Sequence, residues 1–212
     1  MKPVRKIVSK AVPLERSNVD TDQIIPAVWL KRVERTGYAD GLFEAWRKDP
    51  DFVLNQSQYV GGTILIAGSN FGIGSSREHA VWALQDYGFE AVVSSRFGDI
   101  FFNNCISCGL VPVVVDSEVV DELFKLTKDN PQAEVTIDVE NKLISVVDVS
   151  PDSPSFTGAN KITKPISAPI HLDDFSIQKL VNGWDNIDLT LQHEKEITAY
   201  EQNRPSWMVT VS

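Results

Sequence analysis

Hydrophobic and polar positions follow their most regular pattern in the middle of the chain, between residues 63 and 128. An unbroken apolar run at 63–67 predicts a buried strand, and two similar runs follow it. The segments after these runs have helical spacing and stop at glycine or at Asn-Pro. The pattern predicts strands at 63–67, 91–94 and 110–115 and helices at 76–87, 99–107 and 118–128. This alternation of strand and helix indicates parallel βαβ units.

The two flanks of this core are less regular. They contain loosely alternating stretches, polar turns and, within 151–169, four prolines that indicate an irregular excursion. The predicted elements are a strand at 4–10, a turn at 17–22, a short helix at 42–48, a hairpin of 134–139 with 143–149, and helices at 175–181 and 194–203. Because no internal repeat or linker interrupts the pattern, residues 1–212 are predicted to form a single α/β domain with a β-rich flank.

Composition narrows the class of protein. The chain has 42% hydrophobic and 23% charged residues, which is typical of a globular domain. A net charge of −9 without a basic block argues against nucleic-acid binding. Two cysteines are too few for a disulfide scaffold or for a four-cysteine metal centre. No apolar run is long enough to span a bilayer and no leader pattern is present, so we expect a cytoplasmic protein without a membrane partner.

The most informative segment is Gly-Ser-Asn-Phe-Gly-Ile-Gly-Ser-Ser-Arg-Glu-His at 68–79, between a predicted strand and a predicted helix. A phosphate-binding P-loop requires a Gly-Lys pair, and the segment contains no lysine. A dinucleotide fingerprint that starts at Gly72 requires a small residue where Arg77 stands. A Gly-x-Ser-x-Gly nucleophile elbow fails at Arg77 and at Glu78. These three glycine-rich motifs are therefore absent.

The residue types of this segment favour binding of a carboxylate. A helix that begins near Ser75 would present free N–H groups, Arg77 can pair bidentately with a carboxylate, and Ser75 or Ser76 can add hydrogen bonds. Gly72 and Gly74 permit close approach and unusual backbone angles. A purely structural interpretation stays open, in which Ser75 and Glu78 form a capping box and Arg77 pairs with a nearby acid.

The segment also resembles the signature of the swivelling domain of the aconitase superfamily. Within it, the whole chain is similar to the family of 3-isopropylmalate dehydratase small subunits. The resemblance rests on Asp-Thr-Asp-Gln-Ile-Ile-Pro at 20–26, Leu-Lys-Arg at 30–32, Gly-Ser-Ser-Arg-Glu-His at 74–79, the stretch 97–105 that ends in Asn-Asn-Cys, Gly-Leu-Val-Pro at 109–112 and Leu-Thr-Leu-Gln-His-Glu at 189–194. It implies a single swivelling β/β/α domain, as in the aconitase C-terminal domain.

The resemblance also implies an activity. It implies a heteromeric hydro-lyase that interconverts 2-isopropylmalate and 3-isopropylmalate in leucine biosynthesis, with Ser75 as the catalytic base and Ser76 and Arg77 binding a substrate carboxylate. A 4Fe–4S cluster would be carried by a large partner subunit, in a heterodimer or a higher assembly, and this chain would bind no metal. Homoaconitate or a methylated citrate is the alternative substrate within the family.

A basic segment at 28–37 is the second candidate site. Lys31, Arg32 and Arg35 lie among apolar residues of an otherwise acidic chain, a pattern that is also typical of a solvated amphipathic turn. The resemblance implies that this loop closes over the substrate, with Arg32 and Arg35 binding carboxylates and Leu30 and Val33 contacting an isopropyl group.

The cysteines and histidines offer a different class of function. Cys105 and Cys108 form a C-x-x-C pair, which leaves a thiol redox protein as one alternative. The three histidines lack metal-ligand spacing, and His79 is interpreted as lying one helical turn from Ser75 without a catalytic role. A non-enzymatic anion-binding module is the remaining alternative.

Overall fold

The computed structural model describes residues 1–31, 34–146 and 165–205. In this part of the chain a seven-stranded sheet has the order β4-β3-β2-β1-β5-β6-β7. The strands are β1 (Lys6–Leu14), β2 (Ile64–Ala67), β3 (Ala91–Ser94), β4 (Val111–Val114), β5 (Glu134–Asp138), β6 (Leu143–Val146) and β7 (Ile166–Pro169). The helices are α1 (Thr21–Ile24), α2 (Glu78–Tyr87), α3 (Asp99–Cys108), α4 (Ser117–Asp129), α5 (Asp174–Asn182), α6 (Asn186–Leu191) and α7 (Glu194–Gln202).

One half of the sheet is parallel. Strands β1 to β4 pair in parallel, with Val12 opposite Leu65 and Val93 opposite Val113. All four residues of β2 and of β3 are buried, as expected for parallel strands that are covered on both faces. The predicted alternation of strand and helix is confirmed here, with boundaries that differ by one or two residues.

The other half of the sheet is antiparallel, and β1 belongs to both halves. Its first part, Lys6 to Lys10, pairs antiparallel with β5, whereas Ala11 to Leu14 pairs in parallel with β2. The prediction of a strand at 4–10 was therefore too short, because it missed the second set of partners.

The hydrophobic core is divided by the sheet into two clusters. Ile64 and Ile66 point to the cluster that α4 and α5 cover. Leu65 and Ala67, the alternate residues of the same strand, point to the cluster that α2 and α3 cover. The second cluster also contains Tyr38, Phe43 and Phe71, so the loops that precede and follow β2 are packed into it.

Outside the parallel core, a predicted helix was wrong, a predicted excursion was wrong at its end, and one helix was missed. The segment 42–48 is not a helix: Phe43 has a positive φ of 48° and donates its N–H to the Ile24 carbonyl, so only a 3-10 turn, Trp46–Lys48, remains. The irregular excursion predicted at 151–169 ends in strand β7, which pairs with β6. A helix, α6, was missed although Asp185 and Asp188 form a capping box at its start.

Some predicted residues lie outside the described ranges, namely 147–149 of the hairpin and 151–164. Among the helices of the described ranges, none is both long and apolar enough to cross a membrane.

Candidate active site

The glycine-rich segment lies at the carboxyl ends of β1 and β2, where these two parallel strands end side by side at Leu14 and Ala67. The residues after β1 and those after β2 are hydrogen-bonded to each other, as Asn18 N–H is to the Ser69 carbonyl at 2.8 Å. This edge of a parallel sheet is where open α/β folds commonly bind ligands. The structure therefore places Ser75, Ser76 and Arg77 at a position that suits a binding site.

The segment after β1 holds the Ser75–Arg77 turn in place through its backbone. Thr21 donates its N–H to the Ile73 carbonyl at 2.9 Å and its hydroxyl to the Ser75 carbonyl at 2.9 Å. Gly72 donates its N–H to the Val19 carbonyl at 2.8 Å. Because Thr21 is 2% exposed, these bonds are shielded from water and define the path of the turn.

The glycines at 72 and 74 both adopt positive φ values, 74° and 98°, but their surroundings differ. A Cβ on Gly72 would lie 2.2 Å from Cγ of Phe101, so the close approach at this position is to the protein's own core. A Cβ on Gly74 would meet nothing nearer than the Thr21 hydroxyl at 3.5 Å. Of the two, only Gly74 leaves room beside the turn for a ligand.

Arg77 connects the Ser75 hydroxyl to an acidic side chain. Its Nε donates a hydrogen bond to Ser75 Oγ at 3.0 Å, and its Nη2 lies 2.8 Å from Oδ1 of Asp22 in α1. The Arg77 side chain is 18% exposed, whereas that of Asp22 is 58% exposed. A guanidinium N–H that points at Ser75 Oγ favours the negatively charged form of that oxygen over the hydroxyl.

The helix that follows begins two residues later than the sequence predicts. This difference changes which group donates to the Ser75 hydroxyl. Helix α2 starts at Glu78 with Arg77 as its N-cap residue, and Arg77 makes no side-chain capping bond. The capping box of Ser75 with Glu78 is therefore absent, because the Ser75 hydroxyl accepts its bond from Arg77 instead. Ser75, Ser76 and Arg77 therefore precede the helix. The donor observed at the Ser75 hydroxyl is the Arg77 side chain, not an N–H group of the helix.

This arrangement can bind an anion at small cost. Ser75 and Ser76 are exposed. Asp22 is 58% exposed, so its carboxylate can return to water when a ligand carboxylate replaces it at Arg77. Asp22 is thus the acidic partner of Arg77 that the purely structural interpretation expected. Its presence is compatible with a binding site.

The described part of the basic segment contacts α2. Its first part is a 3-10 helix, Ala27–Lys31, in which Leu30 is half-buried. The Arg35 guanidinium lies 5.7 Å from the centre of the Trp82 ring on α2. Arg32 and Val33 lie outside the described residues.

The two thiols are poorly suited to redox chemistry. Cys105 is fully buried, and burial raises its pKa well above the ordinary value. Burial, together with the hydrogen bond to the Glu78 carboxylate, raises the pKa of Cys108 to about 12. Since the thiolate is the reactive form, both cysteines are expected to be inert near neutral pH.

The histidines are engaged elsewhere. His79 packs against Tyr38 and Trp82, with ring centroids 5.4 and 4.7 Å away. His171 lies 3.1 Å from Asp116. In the described ranges, no three His, Cys, Asp or Glu side chains are grouped so that they could hold a metal ion.

Sequence reasoning missed two residues that shape the site, Thr21 and Asp22. They belong to the predicted turn at 17–22 and to the motif at 20–26, which supported the resemblance but was given no role in the site. Their proximity to the glycine-rich segment depends on the parallel pairing of β1 with β2, which no local pattern reveals.

Comparison with known families agrees with this geometry. The model of the aconitase C-terminal domain matches residues 1–118. A second model, which describes the C-terminal domain of the 3-isopropylmalate dehydratase small subunit, matches residues 186–208. The first match covers β1 to β4 and the whole candidate site. It confirms the expected fold class.

Full-length relatives and a solved structure extend the match. The chain is 52% identical to the 3-isopropylmalate dehydratase small subunit of Streptomyces coelicolor, over 98% of this chain and 96% of that one. It is 52% identical to the matching protein of Thermobifida fusca, which has the same name, over 94% and 93%. A crystal structure of 3-isopropylmalate dehydratase from Methanocaldococcus jannaschii superposes with a TM-score of 0.59 at 25% identity, over 92% and 99% of the two chains. The chain belongs to the family of 3-isopropylmalate dehydratase small subunits.

Proposed function

We propose that this chain is the small subunit of a hydro-lyase that interconverts 2-isopropylmalate and 3-isopropylmalate in leucine biosynthesis, and that Ser75 is its base. Family membership supports the reaction. The hydrogen bond from Arg77 Nε to the exposed Ser75 hydroxyl is the observation that supports the assignment of the base.

The proton chemistry follows from this bond. Dehydration takes a proton from one carbon of the hydroxy acid and hydroxide from its neighbour, and rehydration restores them in the other orientation. A serine hydroxyl is too weak a base in water, so Ser75 must react as an alkoxide. Arg77 Nε donates to Ser75 Oγ and stabilises that negative charge, while the bond from the Thr21 hydroxyl to the Ser75 carbonyl holds the backbone of Ser75 in place.

Binding of the substrate falls to the same turn and to the basic segment. Arg77 exchanges Asp22 for a substrate carboxylate, and the Ser76 hydroxyl contributes a further hydrogen bond. Arg32 and Arg35 bind carboxylate, and Leu30 and Val33 contact the isopropyl group. Local cations are required because the chain as a whole carries a charge of −9.

The iron–sulfur cluster of this proposal belongs to the large subunit. Such clusters are held by cysteine thiolates, usually four. This chain has two cysteines, one fully buried and one bound to Glu78, so its own residues do not fit a cluster. The active enzyme is therefore a complex with a large subunit that supplies the ligands.

A reconstituted assay tests the reaction and the substrate together. The chain is mixed anaerobically with a cluster-loaded large subunit, and hydration of isopropylmaleate is compared with that of homoaconitate and methylaconitate. We expect activity only in the complex, with isopropylmaleate preferred. A complex that hydrates one of the other acids faster would assign the alternative substrate, and a complex inactive on all of them would contradict the hydro-lyase.

The base is tested by the change Ser75→Ala. We expect kcat to fall by about 100-fold or more, since a positioned base contributes that much, with assembly unchanged. Ser117→Ala, at the exposed start of α4, is the matched control. Turnover of Ser75→Ala equal to that of the control would disprove the assignment.

A further inference from the structure

One face of α2 contacts the residues from Glu34 to Tyr38, which comprise the last part of the basic segment and the residue after it. We call these residues the Arg35 limb. Three residues of α2, His79, Trp82 and Asp86, are spaced i, i+3 and i+7, so they lie on the same stripe of the helix. All three contact this limb. We call them the α2 stripe.

Tyr38 fixes the end of the limb to this stripe. Its side chain is fully buried against the rings of His79 and Trp82, and its N–H donates to Oδ2 of Asp86 at 2.8 Å. Its hydroxyl donates back to the Glu34 carbonyl at 2.6 Å. The backbone on both sides of Arg35 is therefore tied to the helix.

Trp82 holds the side chain of Arg35 itself. The guanidinium lies 5.7 Å from the ring centre, within the range of a cation–π interaction. Trp82 is half-buried, and its ring packs against those of His79 and Tyr38, with ring centroids 4.7 and 5.8 Å away. The neighbouring rings therefore hold the Trp82 ring in place, and the Arg35 guanidinium lies over it.

We propose that Trp82 is a positioning residue that sets Arg35 relative to the Ser75–Arg77 turn. Helix α2 begins directly after this turn, so one rigid helix determines the location of both arginines. The contact with Trp82 holds the Arg35 guanidinium over α2, at a residue five positions after Arg77. This inference rests on the proposed function, because Arg35 is a substrate-binding residue only within it.

Kinetics of the reconstituted complex test the proposal. We expect Trp82→Leu to raise KM about two- to fivefold, the size of an exposed cation–π contact, with kcat nearly unchanged and with Trp82→Phe intermediate. In an Arg35→Ala background, Trp82→Leu should raise KM no further. An equal rise in both backgrounds would overturn the proposal, because Trp82 would then act without Arg35.

Limited trypsin digestion of the full chain gives a measurement that needs no activity. Cleavage after Arg35 should be several times faster in Trp82→Leu than in the parent. Trp46→Leu is the matched control, since Trp46 is also half-buried and lies 4.2 Å from an arginine, Arg16. Cleavage at the parent rate would overturn the proposal. The two proposals can fail separately. If the parent complex is inactive but cleavage is faster in Trp82→Leu, the proposed reaction is contradicted and the positioning of Arg35 is supported.

Discussion

Arg77 and Arg35 belong to the same candidate site, yet the protein holds them in opposite ways. Arg77 is mostly buried and makes two charge-assisted bonds, to Ser75 Oγ and to Asp22. Arg35 is exposed, and its contact is with the face of Trp82. A group that stabilises charge on a base must be fixed before the reaction, whereas a group that contacts varying substrates can be held more weakly.

The backbone behind each arginine shows the same contrast. The Ser75–Arg77 turn is bonded to α1 and is backed by Gly72, which packs directly on Phe101. The Arg35 limb is attached to α2 by Tyr38, whose side chain is buried. If the contrast is correct, substitutions at the turn should cost more than substitutions at the limb.

The largest effect is expected for Gly72→Ala. The added Cβ would lie 2.2 Å from Phe101 Cγ at a φ of 74°, so overpacking adds to backbone strain. We expect the free energy of unfolding to fall by about 3 kcal/mol, measured by urea denaturation. Gly74→Ala, which has strain but space for the Cβ, should lose about 1 kcal/mol. Equal losses in the two variants would show that Phe101 does not support the turn.

A smaller effect is expected when each arginine is replaced by lysine. Arg77→Lys keeps the charge but cannot bond Ser75 and Asp22 together, so kcat/KM should fall about 10- to 100-fold. Arg35→Lys keeps a cation that can lie over Trp82, and we expect a loss of about fivefold or less. The measurement is steady-state kinetics of the reconstituted complex. Equal losses would remove the distinction between the two arginines.

The smallest effect concerns Cys108, whose thiol donates a hydrogen bond to the carboxylate of Glu78, the residue after Arg77. Its pKa is raised from 9.0 to about 12, first by burial and then by Glu78. Between pH 9.0 and about 12, the native state therefore retains the thiol proton that an unfolded chain has lost. Its contribution to stability is complete below pH 9.0 and disappears as the pH rises towards about 12.

The rate of Cys108 alkylation, measured as a function of pH, tests whether burial raises the pKa of this thiol more than Glu78 does. The rate for Cys108 should still be rising at pH 10, and Glu78→Gln should move the profile to slightly lower pH because burial remains. Glu118→Gln, on the opposite face of the sheet, should not shift it. A profile that reached its plateau near pH 9 would contradict the buried, bonded thiol.

The parallel core could be predicted because its signals are local. Strand β2 is a short apolar run, and the glycines at 88 and 109, both with positive φ, end α2 and α3. A strand covered on both faces must be apolar at every position, so the pattern is strong.

The wrong predictions share one cause. Hydrogen-bonding partners that are distant in the sequence, or that the local pattern does not reveal, compete for the same groups. Ser75 and Glu78 have the spacing of a capping box, but Arg77 occupies the Ser75 hydroxyl. Phe43 leaves the predicted helix at 42–48 because its N–H pairs with Ile24. Strand β7 forms after a proline-rich stretch because β6 offers an open edge.

The sequence by itself determined the α/β class, the strand-to-turn-to-helix course of 63–87 and, through its resemblance, the family and the choice of Ser75 and Arg77 as candidates. Only the tertiary structure decided that Asp22 and Thr21 hold this turn and that Trp82 lies under Arg35. The physical reason is that apolar periodicity and glycine stops act within a few residues. The bonds that position Ser75 and Arg77 instead arise where the ends of two paired strands meet.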